Sequence, residues 1–61
     1  SGGSALHRAA QEGDSDQARL LLLQLGAFVN VCDTDGRTPL HWACNAGNLD
    51  VVVILCANKA E

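Results

Sequence analysis

The chain has 61 residues, a formal net charge of −3 and only two aromatic side chains, Phe28 and Trp42. A chain this short forms at most one small domain, 1–61, and buries only about 60% of its unfolded surface. Its scattered Lys and Arg residues form no basic stripe for nucleic acid, and its longest apolar run, Val51 to Ala57, is far shorter than the roughly 20 residues of a membrane helix.

Two segments carry the start and stop signals of a short helix. Ser4 is a good N-cap residue, and Gly13 a good C-terminal stop. In the second segment Thr38 is the N-cap candidate, Pro39 suits the first helical position and Gly47 ends the helix. The predicted helices lie near Ala5 to Glu12 and Pro39 to Ala46.

A second helix is predicted to follow each of these after a short turn. Asp14 or Ser15 is the expected cap of the first, which we expect to end at Gly26. Asn48 is the expected cap of the second, which runs from about Leu49 to Ala57. Each pair of helices therefore forms a helix hairpin.

The two hairpins are copies of one sequence pattern. Leu6 and His7 in "SALHRAAQEGD" recur 34 residues later as Leu40 and His41 in "TPLHWACNAGN". Between the copies lies an Asp-rich segment, Asp33 to Gly36, whose composition predicts a tight projecting turn. The chain therefore contains two copies of an internal repeat.

The second copy, "DTDGRTPLHWACNAGNLDVVVIL", resembles the ankyrin repeat, a unit of about 33 residues with a β-turn, two helices and a T-P-L-H-x-A signature. The first copy keeps the leucine, histidine, alanine and glycine positions more loosely. The resemblance implies an all-α ankyrin solenoid of two helix-turn-helix units joined by a β-turn loop. It places repeat 1 at about 2–32 and repeat 2 at about 33–61, as a fragment of a longer ankyrin repeat domain.

Two departures from the family pattern carry their own expectations. The interval from Gly13 to Gly26 is one residue longer than usual, which predicts a bulge or an extra residue at the end of that outer helix. Lys59 stands where the family usually has glycine, so we expect the last helix to fray after Cys56.

The resemblance implies a non-enzymatic module that needs no cofactor and binds another protein or peptide on a concave surface. In the family His7 and His41 would brace the turns and tie neighbouring units together, and Trp42 would be either a binding anchor or a cover over the seam between units. The positions that usually face a partner are Arg8, Gln11, Glu12, Thr34, Asp35, Arg37, Trp42, Asn45 and Ala46.

Two alternative functions remain open. The chain could be a pair of structural capping repeats that stack on further repeats or self-associate, because the last helix is apolar on nearly every face. Its expected open side is built around Val51, Val53, Ile54 and Cys56, whereas the first unit is more polar there, like an N-terminal cap. Methyl-lysine peptide reading is a further variant, although a cage needs several rings.

The cysteines and histidines favour neither a metal site nor catalysis. Cys32, Cys44 and Cys56 are each 12 residues apart and form none of the short spacings of a zinc site. We expect Cys44 and Cys56 to be small buried residues, with His41 and Cys44 committed to packing, and Cys32 to be the most reactive thiol. An odd number of cysteines favours a reducing compartment, the cytoplasm or nucleus.

Overall fold

The computed structural model describes residues 3–58 and places four helices in them. They are α1 (Ala5–Glu12), α2 (Ser15–Leu23), α3 (Pro39–Ala46) and α4 (Leu49–Ala57). Residues 3–58 contain no strand, which confirms the all-α prediction, and α1, α3 and α4 have the predicted bounds. No helix in this range is both long enough and apolar enough to cross a membrane.

Reciprocal hydrogen bonds cap the two inner helices at their N-termini. The Ser4 hydroxyl accepts from the His7 backbone N–H at 3.3 Å, and His7 Nδ1 accepts from the Ser4 N–H at 3.0 Å. Thr38 and His41 make the same pair of bonds, at 3.4 and 3.1 Å. A histidine therefore does here what glutamate or glutamine does in the usual capping box.

The two outer helices begin differently. Asp14 accepts a hydrogen bond from the Gln17 N–H at 3.1 Å and so caps α2. Asn48 holds the equivalent position before α4, but its side chain makes no capping bond there. Its amide donates instead to the carbonyls of Ala10 and Gln11, at 2.7 and 3.0 Å. The prediction that the Asn48 side chain caps α4 is wrong, because the amide satisfies carbonyls left free at the end of α1.

The end of α2 also differs from the prediction. The helix stops at Leu23, three residues before Gly26, which is beyond the helix with φ of 66°. The Ala27 N–H donates to the Leu21 carbonyl at 2.9 Å and closes this longer connection. The additional residue is therefore accommodated after the helix.

Helix α4 continues past Cys56 to Ala57, although we expected it to fray there. The Asn58 amide donates to the Ile54 carbonyl at 2.8 Å and supplies a side-chain cap. The expectation that concerns Lys59 falls outside the described residues.

The core lies between the two hairpins. Helix α1 packs on α3, and α2 packs on α4, so the first unit (α1 and α2) stands side by side with the second unit (α3 and α4). The buried apolar residues that they share are Leu6, Ala9, Ala10, Ala18, Leu21, Ala43, Val51 and Leu55. Small alanines at the contact allow the inner helices to approach closely.

Comparison of residues 34 positions apart identifies which side of each unit faces the next one. The counterpart pairs are Leu6 and Leu40, His7 and His41, Ala10 and Cys44, Ala18 and Val52, and Leu22 and Cys56. The first member of each pair is buried or half-buried, and the second member is more exposed in every pair. We call the second members, Leu40, His41, Cys44, Val52 and Cys56, the open face.

The open face differs from the expected one. Val51 was expected to be exposed, but it is fully buried in the shared core. Val53 is 66% exposed, yet its counterpart is the exposed Arg19 of the first unit, so it does not belong to the side that a following unit would cover. Ile54 is half-buried.

The expected burial of Cys44 and Cys56 is wrong, since both are exposed. Their counterparts in the first unit are shielded by the second unit, whereas nothing in residues 3–58 covers the open face. His41 is exposed too, so the expectation that His41 and Cys44 are committed to packing fails for the same reason. Cys32 is exposed as well, and its expected place as the most reactive thiol stays a prediction.

Candidate functional site

The carboxylate of Asp33 organises the turn between the units. One oxygen, Oδ1, accepts from the backbone N–H groups of Asp35 and Arg37 at 2.9 and 2.8 Å. The other, Oδ2, accepts from the indole N–H of Trp42 at 2.9 Å. The hydrogen bond from Arg37, followed by those from Trp42 and Asp35, lowers the pKa of Asp33 below its ordinary value, against an opposing effect of desolvation. From the sequence we expected Asp33 only to form part of the turn, although an Asp at a turn start commonly binds backbone N–H groups.

The backbone of Arg37 is held from both units. Its carbonyl accepts from the Asp33 N–H at 2.8 Å within the turn. The same carbonyl accepts from Nε2 of the buried His7 ring at 2.6 Å, which ties the turn to α1. His7 therefore links neighbouring units, as the resemblance implied. The ring of His41 binds its own helix start through Nδ1 and lies on the open face.

Trp42 covers the seam between the units and also faces the groove. Its ring packs edge-on against His7, with centroids 5.0 Å apart, and contacts the shared core. A Cβ atom on Gly3 would come within 2.9 Å of the indole, so glycine permits this approach of the chain before α1. The indole is half-buried rather than enclosed. Trp42 therefore covers the seam between the units, and its role as a binding anchor stays a prediction that its place in the groove permits.

An open cleft of about 520 Å³ lies on the concave side, where α1 and α3 meet the turn. Its lining residues are Gln11, Arg37, His41, Trp42, Asn45 and Ala46. Five of the nine residues predicted to face a partner line it together. Asn45 and Ala46 follow Trp42 by about one helical turn, which explains why the three share this side of α3.

The other four predicted residues do not line the cleft. Arg8 and Glu12 are exposed on α1, and Thr34 and Asp35 are exposed in the turn. Asp35 approaches the cleft only through its ion pair with Arg37, at 3.7 Å. His41 lines the cleft although it was not among the predicted contacts. Its place in the T-P-L-H signature suggested only a bracing role.

The cleft does not have the composition of an aromatic cage. Trp42 is its one large aromatic ring, and Phe28, which is 83% exposed, is not part of its lining. A guanidinium group also stands in the cleft and would repel a lysine ammonium. The methyl-lysine variant therefore lacks support from this geometry.

Comparison with known proteins gives one consistent result. A family model described as "Ankyrin repeats (3 copies)" matches residues 1–61. Protein phosphatase 1 regulatory subunit 12A of Mus musculus is 47% identical over the whole chain, which spans 6% of that protein. Acyl-CoA-binding domain-containing protein 2 of Arabidopsis thaliana is 39% identical over 93% of the chain, which spans 16% of that protein.

A solved structure, that of the human ASB11 ankyrin repeat domain, superposes with a TM-score of 0.91 at 32% sequence identity. The match covers 97% of this chain and 26% of that one. The four-helix arrangement and the capped T-P-L-H segment are those expected of ankyrin repeats, and they agree with these matches. The chain belongs to the ankyrin repeat family, whose repeats are protein-interaction modules.

Proposed function

We propose that this chain binds a peptide segment of a partner protein in the concave cleft between α1, α3 and the turn. The observation that carries this proposal is the composition of the cleft. Gln11 and Asn45 offer amide donors and acceptors for a peptide backbone, Trp42 offers apolar surface, and Ala46 leaves room for a side chain. Interfaces of this kind combine an aromatic anchor with a few polar contacts.

The rigidity of the cleft supports the same proposal. The turn is held by Asp33, the inner helices by their histidine caps, and the two units by the bonds of His7 and Asn48. A preformed surface loses little conformational entropy when a partner binds. The proposal involves no catalytic step and no cofactor.

The experiment is a selection of random linear peptides displayed on phage against the full 61-residue chain. Selected peptides are then titrated against Ala46→Arg, which places a long side chain in the cleft from the exposed end of α3. We expect a loss of affinity of at least about tenfold.

The matched control is Ala57→Arg, the same substitution at the exposed last residue of α4. It lies outside the cleft lining and should leave affinity unchanged. Equal affinities of the selected peptides for the wild-type chain and for Ala46→Arg, with both variants folded by circular dichroism, would overturn the proposal.

A second candidate function is structural capping. It is favoured by the open face, where Leu40, His41 and Cys44 line a further shallow cleft with Asn45. Leu40, His41 and Cys44 repeat the positions that the second unit covers on the first. We propose that another repeat, or a second copy of the chain, covers this face.

The odd number of cysteines supports a cytoplasmic or nuclear location, the compartments where free thiols persist.

A further inference from the structure

We propose that the partner segment presents an Asp or Glu side chain whose carboxylate pairs with the guanidinium of Arg37 in the concave cleft. This inference rests on the proposed function of the cleft and specifies the chemistry of its ligand.

The charge of the cleft is the first argument. Arg37 is the one formally charged side chain among its six lining residues, which otherwise supply two amides, an indole, an imidazole and a methyl group. No carboxylate lines the cleft, although acidic residues outnumber basic ones in the whole chain. Arg37 therefore supplies the one formal charge that a ligand meets on the cleft lining, and the carboxylates of Asp33 and Asp35 lie beside it outside the lining.

The guanidinium is also available for a new partner. The Arg37 side chain is 63% exposed, and its ion pair with Asp35 is long at 3.7 Å between solvent-exposed groups. Such pairs are weak because water and salt screen them. A carboxylate within the cleft could instead form two parallel, shorter hydrogen bonds with the planar guanidinium.

The backbone of Arg37 is fixed before any ligand arrives. Its N–H donates to Asp33 Oδ1, and its carbonyl accepts from the Asp33 N–H and from His7. Only the side chain needs to be ordered on binding, which reduces the entropic cost of the pair.

A single carboxylate matches this site better than other charged groups. One guanidinium balances one negative charge, whereas a phosphate group carries nearly two and is usually held by clustered arginines. The net charge of −3 gives no long-range attraction for an acidic run. Recognition must therefore come from one short-range pair within the cleft, and a lysine would be repelled by Arg37.

The test is a peptide array probed with the full chain. The peptides are built on one common set of random flanking sequences and differ only at the central residue, which is Glu, Gln, phosphoserine, Lys or trimethyllysine. We expect the Glu peptides to bind at least about tenfold more tightly than the isosteric Gln peptides. Arg37→Glu should reverse the preference from Glu to Lys, and Arg37→Lys should retain a weaker preference for Glu.

Arg19→Glu is the matched control, because it makes the same charge change on α2, where Arg19 pairs with Asp16 at 3.2 Å outside the cleft. It should preserve the preference for Glu. Three results would each overturn the inference. They are equal binding of the Glu and Gln peptides, a preference for phosphoserine or for either lysine form, and an unchanged preference for Glu in Arg37→Glu.

Ala46→Arg separates this failure from failure of the cleft itself. If the wild-type chain binds peptides without preferring Glu, and Ala46→Arg abolishes that binding, the proposed function is retained and the carboxylate is rejected. Binding that Ala46→Arg leaves intact would reject both, as would an array on which the wild-type chain binds nothing. Thermal melts followed by circular dichroism establish that each variant is folded.

Discussion

At the scale of single residues, Asp33 and Trp42 connect the turn to the inner helix of the second unit. Asp33 binds two backbone N–H groups of its own turn through one oxygen and the Trp42 indole through the other. These bonds favour the ionised carboxylate in the folded chain. The geometry of the cleft therefore depends on a charged group that also contributes to stability.

The lowered pKa of Asp33 predicts a pH dependence of unfolding. A group whose pKa is lower in the folded state stabilises the fold above its unfolded pKa, and this contribution is lost as pH falls through the folded pKa. The ordinary value is 3.8, so the loss should begin near pH 4 and continue below it. Urea unfolding should show Asp33→Asn to be less stable than wild type at pH 6, with a difference that shrinks toward pH 2.5.

Asp35→Asn provides the control, since it removes a carboxylate from the same turn and leaves the bonds to Asp33 in place. On going from pH 6 to pH 2.5, Asp35→Asn should lose as much stability as the wild-type chain does. A constant difference between wild type and Asp33→Asn across this range would show that the ionised carboxylate is not what stabilises the turn.

At the scale of helices, Asn48 connects the start of α4 to the end of α1. Its amide donates to two α1 carbonyls, and its side chain lies against Gly13, where a Cβ atom would approach within 3.1 Å. Gly13 also has φ of 74°, a conformation that favours glycine. Gly13 therefore ends α1 and also provides the surface against which the Asn48 side chain of the second unit lies.

Substitution of Asn48 distinguishes this contact from a helix cap. Asp and Asn are similarly good N-caps, so an ordinary cap would tolerate Asn48→Asp. Here the carboxylate would face two carbonyl oxygens and lose both donors. We expect Asn48→Asp to lower the free energy of unfolding by about 1–3 kcal/mol in urea melts at pH 7.

Asp14→Asn is the matched exchange at the equivalent position of the first unit. Asp14 is a true cap of α2, so this variant should change stability by less than about 0.5 kcal/mol. Equal effects of the two substitutions would argue against the contact between Asn48 and α1.

The difference between Asn48 and Asp14 shows how far sequence reasoning reaches. Helix positions follow from local signals such as Ser4, Thr38 and Gly13, because caps and stops act within a few residues. The burial of Cys44 and the partners of Asn48 depend on which surface meets another unit, and a single sequence does not contain that information. The groove residues of α3 were predictable from the family resemblance, whereas the bond from Trp42 to Asp33 depends on how the turn folds against α3.

At the scale of the whole molecule, the two ends of the stack are unequal. The first unit presents exposed Gln17, the counterpart of buried Val51, at its end, while the second leaves Cys44 and Cys56 uncovered beside half-buried Leu40. Repeat proteins gain stability from neighbour interfaces, and two units provide only one. The open face is therefore the place where further stabilisation can be gained.

We expect this chain, at 61 residues, to be weakly folded alone or to self-associate through the open face. In the associating case its melting temperature should rise by several degrees for each tenfold increase in protein concentration. Cys44→Glu should remove this dependence, and Leu23→Glu, a change at a 70% exposed residue of α2, should preserve it. A concentration-independent melt above about 60 °C, with a monomeric mass in sedimentation, would contradict the expectation.

The position of Trp42 gives this chain a built-in optical probe. Because it is the only tryptophan, all indole fluorescence comes from one ring that touches His7, binds Asp33 and lines the cleft. Separation of the two units would expose the ring to water and shift its emission to longer wavelength. A ligand in the cleft would shield the same ring and shift the emission to shorter wavelength. One spectrum therefore distinguishes a ligand-filled cleft from separated units without any added label.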